Sequence, residues 1–530
     1  MGIYFNPNHT DFCNAVNHSQ IYVDKTELIQ YTNSVLFGEQ KYICVSRPRR
    51  FGKSMAANML TAYYSRGCDS KKLFQELKIA TRPDFEKHLN QYNVIHLNMQ
   101  SFLSKTQTIE QMIALVTKAV GRDLLRAYPD IDYLDKSILT FMLDDVYQNY
   151  QVPFIFIIDE WDCIFRSRKN QLEEQTKYLD FLRDLLKDKG YIALAYMTGI
   201  LPIKKYGEHS ALNMFDEYSM TNQRELAEFT GFTEQEVQEL CPQYDMSYDK
   251  MKQWYDGYDL KGIQIYNPRS VVMSLSGHDF DSYWTKTETY EALKKYIQMD
   301  MYNLKELVTR LIAGSSIEIN PDKFQNDMTT FASADDVLTL LVHLGYLTYD
   351  FDTCTVHIPN QEVQKEFINC IEDGGWEPVM DAIRKSEELL AATIRGEEET
   401  VARMIENAHQ ENTSILAYND ENSLACVIAL AYYSAKKNYV VYRELAGGKG
   451  FADMVFVPRK TTQTPAIVVE LKWNQTAEAA ITQIKRKQYV ESLKDYRGEV
   501  ILVGINYESK ELKKDDYKKH SCKIERITMA

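Results

Sequence analysis

Tyr42-Ile43-Cys44-Val45-Ser46-Arg47-Pro48-Arg49-Arg50-Phe51-Gly52-Lys53-Ser54 is the stretch around which the rest of the chain is read. An apolar strand pattern runs into a cationic loop that ends in Gly-Lys-Ser, and a helix pattern follows over Met55 to Tyr64. Phosphate-binding loops are built this way, with backbone N–H groups and the N-terminus of the next helix facing the phosphates. Lys53 would reach the β- and γ-phosphates, and the Ser54 hydroxyl would hold Mg²⁺. One residue departs from the standard pattern G-x-x-x-x-G-K-[ST]: its first glycine falls at position 47, where this chain has Arg47.

Support comes from farther along the chain. Phe154-Ile155-Phe156-Ile157-Ile158 runs straight into Asp159-Glu160-Trp161-Asp162. An unbroken apolar run is the mark of a strand buried on both faces. Acids at its C-terminal end sit where open α/β sheets bind ligands. Asp159 would hold Mg²⁺, and Glu160 would orient or deprotonate the attacking water. A further strand, Tyr191 to Met197, ends at Thr198-Gly199, and Thr198 is a candidate sensor of the γ-phosphate. Strand patterns alternating with helices (107–126 and 134–150 read as amphipathic) predict a parallel α/β sheet.

Residues 222–400 read as mostly helical. Thr233 with Glu236 predicts a helix capping box, and Asp256-Gly257 and Asn267-Pro268 predict turns. A helical or winged-helix module is expected here.

The last part of the chain carries a second chemical signal. A helix over 421–435 precedes strands at 439–444, 451–457, 466–472 and 500–505, with a helix holding Gln483 before the last. Residues two apart on a strand share a face, so Glu470 and Lys472 point together. Asp453 is an acid where the apolar pattern calls for a buried residue, and a buried unpaired carboxylate is expensive. A metal ion or a lysine resolves that cost. Asp453 and Glu470 would bind Mg²⁺, with Glu421 completing the site, and Lys472 would position water or stabilise developing charge.

Composition sets the outer limits. A chain of 530 residues is too long for one core, and two to four domains are expected. No apolar run is long enough to span a membrane, and Met1 to Thr10 lacks an apolar signal core, so a cytoplasmic protein is expected. Nine dispersed cysteines without a C-x-x-C pair fit reduced thiols. The net charge of −14 gives no global attraction to nucleic acid, so DNA contact would need a local basic surface. Candidates are Lys485-Arg486-Lys487 and the group Lys513, Lys514, Lys518, Lys519 and Lys523.

With these residues in hand, the chain resembles a bacterial family that joins an N-terminal AAA-ATPase-like domain to a C-terminal PD-(D/E)XK nuclease-superfamily domain. The resemblance runs through Tyr22-Val23-Asp24-Lys25-Thr26, Arg47 to Ser54, Ile158-Asp159-Glu160, Thr198-Gly199-Ile200, Trp254 to Tyr258, Ala452-Asp453, Glu470-x-Lys472 and Gln483-Ile484. Arginine at position 47 is this family's own form of the loop. Two residues depart from the family's habit: Trp161 replaces a usual Tyr, and Lys449 stands where a basic residue, often Arg, precedes the Ala-Asp pair. The resemblance implies an α/β protein with an AAA-like P-loop domain over 1–220, a helical or winged-helix region over 221–405 and a restriction-endonuclease-like domain over 406–530. It implies ATP held by Arg49, Arg50, Phe51, Gly52, Lys53 and Ser54 with Asp159 and Thr198, and hydrolysis assisted by Glu160. It implies a nuclease signature of Asp453, Glu470 and Lys472 with Gln483 as an accessory residue. Expected ligands are ATP, Mg²⁺ and DNA, with a homo-oligomer or protein partner also in view. The alternative is a non-cleaving ATP-dependent switch that binds nucleic acid or a protein.

Overall fold

The computed structural model describes residues 2–203, 212–222, 225–284, 289–298, 302–325, 331–412, 421–447, 450–459, 464–487, 493, 496–508 and 519–529. The chain divides into two compact units. One comprises Met1–Glu291 and Glu318–Lys365, the other Ala292–Ile317 and Glu366–Ala530.

The first unit is built on a sheet of five strands: β1 (Tyr42–Ser46), β2 (Asn93–Asn98), β3 (Phe154–Asp159), β4 (Ile192–Gly199) and β5 (Asp216–Tyr218). Their spatial order is β2-β3-β4-β1-β5, and every pair is parallel. β1, β3 and β4 are buried along their whole length, which is why their sequences do not alternate. The helix Lys53–Tyr64 lies against one face, where Ala57, Leu60 and Tyr64 join Ile43, Val45, Ile155 and Ile157 in one core. Each buried Ile, Leu or Val among them contributes roughly 1.5–3 kcal/mol by leaving water. The short strand β5 has no apolar signature and is not predicted from the sequence. It pairs with β1 and is further held by the guanidinium of Arg47, whose Nη1 donates to the Tyr218 carbonyl at 2.9 Å.

The same unit includes a smaller three-stranded sheet of β6 (Phe232–Thr233), β7 (Tyr258–Leu260) and β8 (Ile263–Tyr266). Thr233 and Glu236 form the expected capping box on the helix Glu234–Gln243. Asn267 caps the helix Pro268–Gly277, with Pro268 at its first position, where a missing N–H costs nothing. This module grips the cationic loop: Trp284 Nε1 donates to the Arg49 carbonyl at 3.0 Å, and Gly231 N to the Phe51 carbonyl at 2.9 Å. Beyond it the chain forms β9 (Ile317–Glu318) and the antiparallel pair β10 (Thr348–Asp350) and β11 (Thr355–His357).

The second unit holds a mixed sheet in chain order: β12 (Tyr439–Gly447), β13 (Gly450–Pro458), β14 (Ala466–Trp473), β15 (Gly498–Glu508) and β16 (Lys519–Met529). Only β14 and β15 run parallel, and the helix Ala477–Lys487 connects them. Its Ile481 and Ile484 pack with Val455, Ala466, Val468, Val500 and Leu502. The strand β16 pairs antiparallel with β15, in a stretch whose lysines are offered by the sequence as a candidate basic surface. Charged residues on an edge strand suppress pairing with other chains.

All nine cysteines are free thiols. Among the described residues, no helix is long and apolar enough to cross a membrane. Gly448, Lys449, Lys513, Lys514 and Lys518 lie outside the described residues, as do the side chains of Glu421 and Lys519.

Candidate nucleotide and metal sites

At the C-terminal edge of the parallel sheet the loop from Arg47 to Ser54 meets the acids that end β3. Two residues of the loop take left-handed backbone, Arg50 (φ 68°) and Gly52 (φ 85°). Position 47 does not, so a side chain is tolerated where the usual pattern has glycine. Arg47 turns away into the sheet and is fully buried, with Nη1 on the Ser46 and Tyr218 carbonyls. Burial without a carboxylate partner lowers its pKa to about 10.

Lys53 is buried at the helix start, with Nζ 2.9 Å from the carbonyl oxygens of both Arg47 and Pro48. Burial lowers its pKa, and the charges of Glu160, Asp159 and Asp162 oppose that shift. The Ser54 hydroxyl donates to Asp159 Oδ2 at 2.7 Å. Asp159 is also hydrogen-bonded by the Glu160 N–H at 3.0 Å, by Asn98 Nδ2 at 3.4 Å and by the Thr198 hydroxyl. Thr198 is therefore placed against Asp159, at the end of the neighbouring strand.

Glu160 adopts a left-handed backbone (φ 55°) and pairs with Arg166. Arg166 also donates from Nε to Asp162 Oδ2 at 3.1 Å, and the same oxygen receives the N–H groups of Ile200 and Leu201 at 3.1 and 2.9 Å. A cavity of ≈ 840 Å³ is lined by Arg49, Arg50, Gly52, Lys53, Ser54, Asn98, Glu160 and Arg166, among others. A second, apolar cavity of ≈ 270 Å³ is lined by Tyr22, Val23, Phe229, Pro268 and Val272, and it shares Arg50, Gly52 and Met55 with the first. Phe51 lines the apolar cavity and not the larger one. Its ring is fully buried and lies edge-on to Tyr258 at 5.3 Å.

No individual role follows from sequence for Asn98, Asp162 or Arg166. Asn98 pairs in register with Asp159 across β2 and β3, so its position at a strand end was a usable signal. Asp162 and Arg166 stand one helical turn apart, a spacing too common to be diagnostic. The hard oxygen donors of Ser54 and Asp159, already in contact, suit Mg²⁺.

The second site lies where β13 and β14 part. Their ladder ends at Met454↔Val469. One residue on, Asp453 Oδ2 accepts the Leu471 N–H at 2.6 Å, so a side chain takes the place of a backbone acceptor. Glu470 and Lys472 share the face of β14 that carries Ala466 and Val468, under the helix Ala477–Lys487. Val469 and Leu471 on the other face are also buried. The pair is thus no exposed surface ion pair: Glu470 is 1% exposed and Lys472 9%. Lys472 Nζ donates to Glu470 Oε1 at 2.8 Å and to the Leu471 carbonyl at 2.9 Å, and Gln483 Nε2 also donates to Oε1.

Glu470 Oε2 is buried and has no hydrogen-bond partner. Burial first, and then the charge of Asp453, push this carboxyl up to about 7. An orphaned carboxylate oxygen, on a group that feels the charge of a second carboxylate, is what a hard divalent cation would satisfy. No cluster of three or more potential His, Cys, Asp or Glu ligands occurs among the described residues.

Of the basic residues considered for nucleic acid, Lys485 pairs with Glu525, and Lys523 pairs with Glu398.

Two solved structures are similar in part. The ORC2 protein of Aeropyrum pernix, in ADPNP-ADP complexes, matches with a TM-score of 0.31 and 10% identity, over 67% of this chain and 97% of that one. CDC6P from Pyrobaculum aerophilum matches with a TM-score of 0.22 and 10% identity, over the same shares. A curated relative from Azotobacter chroococcum mcd 1, described as an uncharacterized protein in the vnfD 5'region, is 24% identical over 275 residues, 51% of each chain. The match therefore spans about half the length of that relative. Residues 9–207 match the family described as predicted AAA-ATPase, and residues 419–517 match the PD-(D/E)XK nuclease superfamily. The chain carries an AAA-ATPase-like domain followed by a domain of the PD-(D/E)XK nuclease superfamily.

Proposed function

We propose that the chain binds and hydrolyses ATP at the Arg47–Ser54 loop, and that this domain regulates a Mg²⁺-dependent nuclease domain acting on DNA. The observation that carries the reading is the buried Glu470 carboxylate beside Asp453, with one oxygen unpartnered and Lys472 fixed on the other. A purely structural ion pair would gain nothing from that orphaned oxygen.

In the first domain the phosphates lie against the loop N–H groups and the N-terminus of the helix Lys53–Tyr64. Lys53 leaves its two loop carbonyls to reach the β- and γ-phosphates. The apolar cavity beside Met55 takes the base, because Arg50, Gly52 and Met55 line both cavities. Ser54 and Asp159 would hold Mg²⁺, which supplies charge neutralisation at the phosphates. Glu160 accepts a proton from the attacking water. The water oxygen bonds to the γ-phosphorus, its bond to the bridging oxygen breaks, and ADP leaves.

In the last domain Asp453 and Glu470 would hold Mg²⁺, which polarises the scissile phosphate and makes bound water more acidic. Lys472 has spent two of its three N–H donors on Glu470 and Leu471. The third is available to the phosphate oxygen on which charge grows as water attacks and the P–O ester bond breaks.

The experiment is DNA nicking and ATP turnover by wild type and Lys472→Ala. Lys472→Ala is expected to abolish cleavage while ATP turnover stays at the wild-type level. Cleavage that survives the change would overturn the site. ATP-dependent DNA binding without cleavage by the wild type would make the chain a switch instead.

A further inference from the structure

Among the described residues, Arg166 is the one cation lining the phosphate cavity that lies outside the loop. It follows Asp162 by one turn in the helix Cys163–Ser167. Asp162 is fully buried and is itself pinned by the Ile200 and Leu201 N–H groups at the end of β4. The guanidinium therefore rests on a buried carboxylate held by two backbone N–H groups. Its Nε is spent on Asp162 and its Nη2 reaches Glu160, while the residue lines the cavity with Lys53 and Ser54. Burial works against its charge, but Asp162 and Glu160 outweigh that effect and hold its pKa above the usual value. Arg166 stays charged under all working conditions.

A guanidinium presents the same planar fork to a carboxylate and to a phosphate. Glu160 and a terminal phosphate are thus competing ligands for one group.

We propose that Arg166 is a phosphate ligand of the bound nucleotide, taking the terminal phosphate of a triphosphate in exchange for Glu160 and so freeing that carboxylate to accept the proton of the attacking water. This rests on the reading of the loop as an ATP site. A nucleoside diphosphate lacks the group that competes for Arg166, so the Arg166–Glu160 pair persists with ADP. Arg166 then serves two ends: it distinguishes tri- from diphosphate, and it keeps the base occupied until a triphosphate arrives.

The test is equilibrium binding of ADP and of the β,γ-imido analogue of ATP to the full chain with Mg²⁺, for wild type, Arg166→Ala, Arg166→Lys and Glu160→Gln. Arg166→Ala is expected to weaken the triphosphate analogue by about tenfold, the scale of one charge-assisted hydrogen bond, with ADP little changed. Arg166→Lys recovers part of that loss. Glu160→Gln removes the competing carboxylate, so it tightens the analogue several-fold and leaves ADP unchanged. Equal effects on both nucleotides, or no effect on either, would overturn the proposal. Arg166→Ala exposes Asp162 to an unpaired buried charge, so its melting is compared with wild type. If that variant does not fold, Glu160→Gln decides alone, and an unchanged ratio of analogue to ADP affinity is the contrary result. Wild type that binds neither nucleotide removes the ATP reading itself, and the proposal with it. Wild type that binds both but does not discriminate through Arg166 leaves the ATP reading standing and the proposal refuted.

Discussion

Glu470 offers the sharpest perturbation, because its environment converts directly into a pH-dependent stability. Its carboxyl is held at about 7 against an ordinary 4.5, by burial and by Asp453. A carboxyl with a raised folded-state pKa binds its proton more tightly in the folded chain than in the unfolded one. The folded state is therefore favoured at low pH and loses stability as pH climbs from about 4.5 to about 7, with the full cost present above that range. Between pH 5.5 and pH 8 the change attributable to this one group is about 2 kcal/mol. Glu470→Gln keeps the shape and removes the titration. The assay is calorimetric melting of the full chain in chelator across that range, comparing wild type with Glu470→Gln. The difference between the two is expected to move by about 2 kcal/mol, in the sense that the glutamine variant gains on wild type as pH rises. Millimolar Mg²⁺ should remove most of the slope in wild type and none in the variant, because the cation binds the ionised carboxylate and offsets its burial. Parallel pH dependences for the two proteins, with or without Mg²⁺, would refute the reasoning.

Three further outcomes are expected. Ser54→Ala removes the hydroxyl in contact with Asp159 and should cut ATP turnover by at least about tenfold, with a raised Mg²⁺ requirement in a turnover titration. Phe51→Ala should lower stability by about 3–5 kcal/mol in a denaturant titration, because its buried ring packs against Tyr258. Gln483→Leu removes one of the two side-chain donors to Glu470 Oε1. Cleavage should fall in the DNA nicking assay, while ATP turnover remains at the wild-type rate.

Much of this architecture is legible in local sequence patterns, for reasons that differ from element to element. β1, β3 and β4 announce themselves because strands covered on both faces must be apolar throughout, and the polar residues that stop them stand out. Asp453 stands out for the converse reason, as a carboxylate inside an apolar run. β5 is invisible because Asp216–Tyr218 is too short and too acidic to carry a pattern, and what binds it is the ladder to β1 and the Arg47 guanidinium, both from far away in sequence. β16 is hidden by the charges that protect an edge strand. The face of Glu470 and Lys472 follows from their spacing, but its burial depends on the helix Ala477–Lys487 closing over it. Arg166 and Asp162 carry no signal of their own. Their placement comes from two backbone N–H groups at the end of another strand, a contact that no local pattern encodes.

We propose above all that one chain couples a nucleotide site to a cleavage site. Single-turnover nicking of supercoiled DNA in Mg²⁺, with and without ATP, by wild type and Lys53→Ala tests it most directly. ATP is expected to change the nicking rate of wild type and to leave that of Lys53→Ala where it was. Nicking at one rate in all four conditions, or no nicking in any of them, would contradict it.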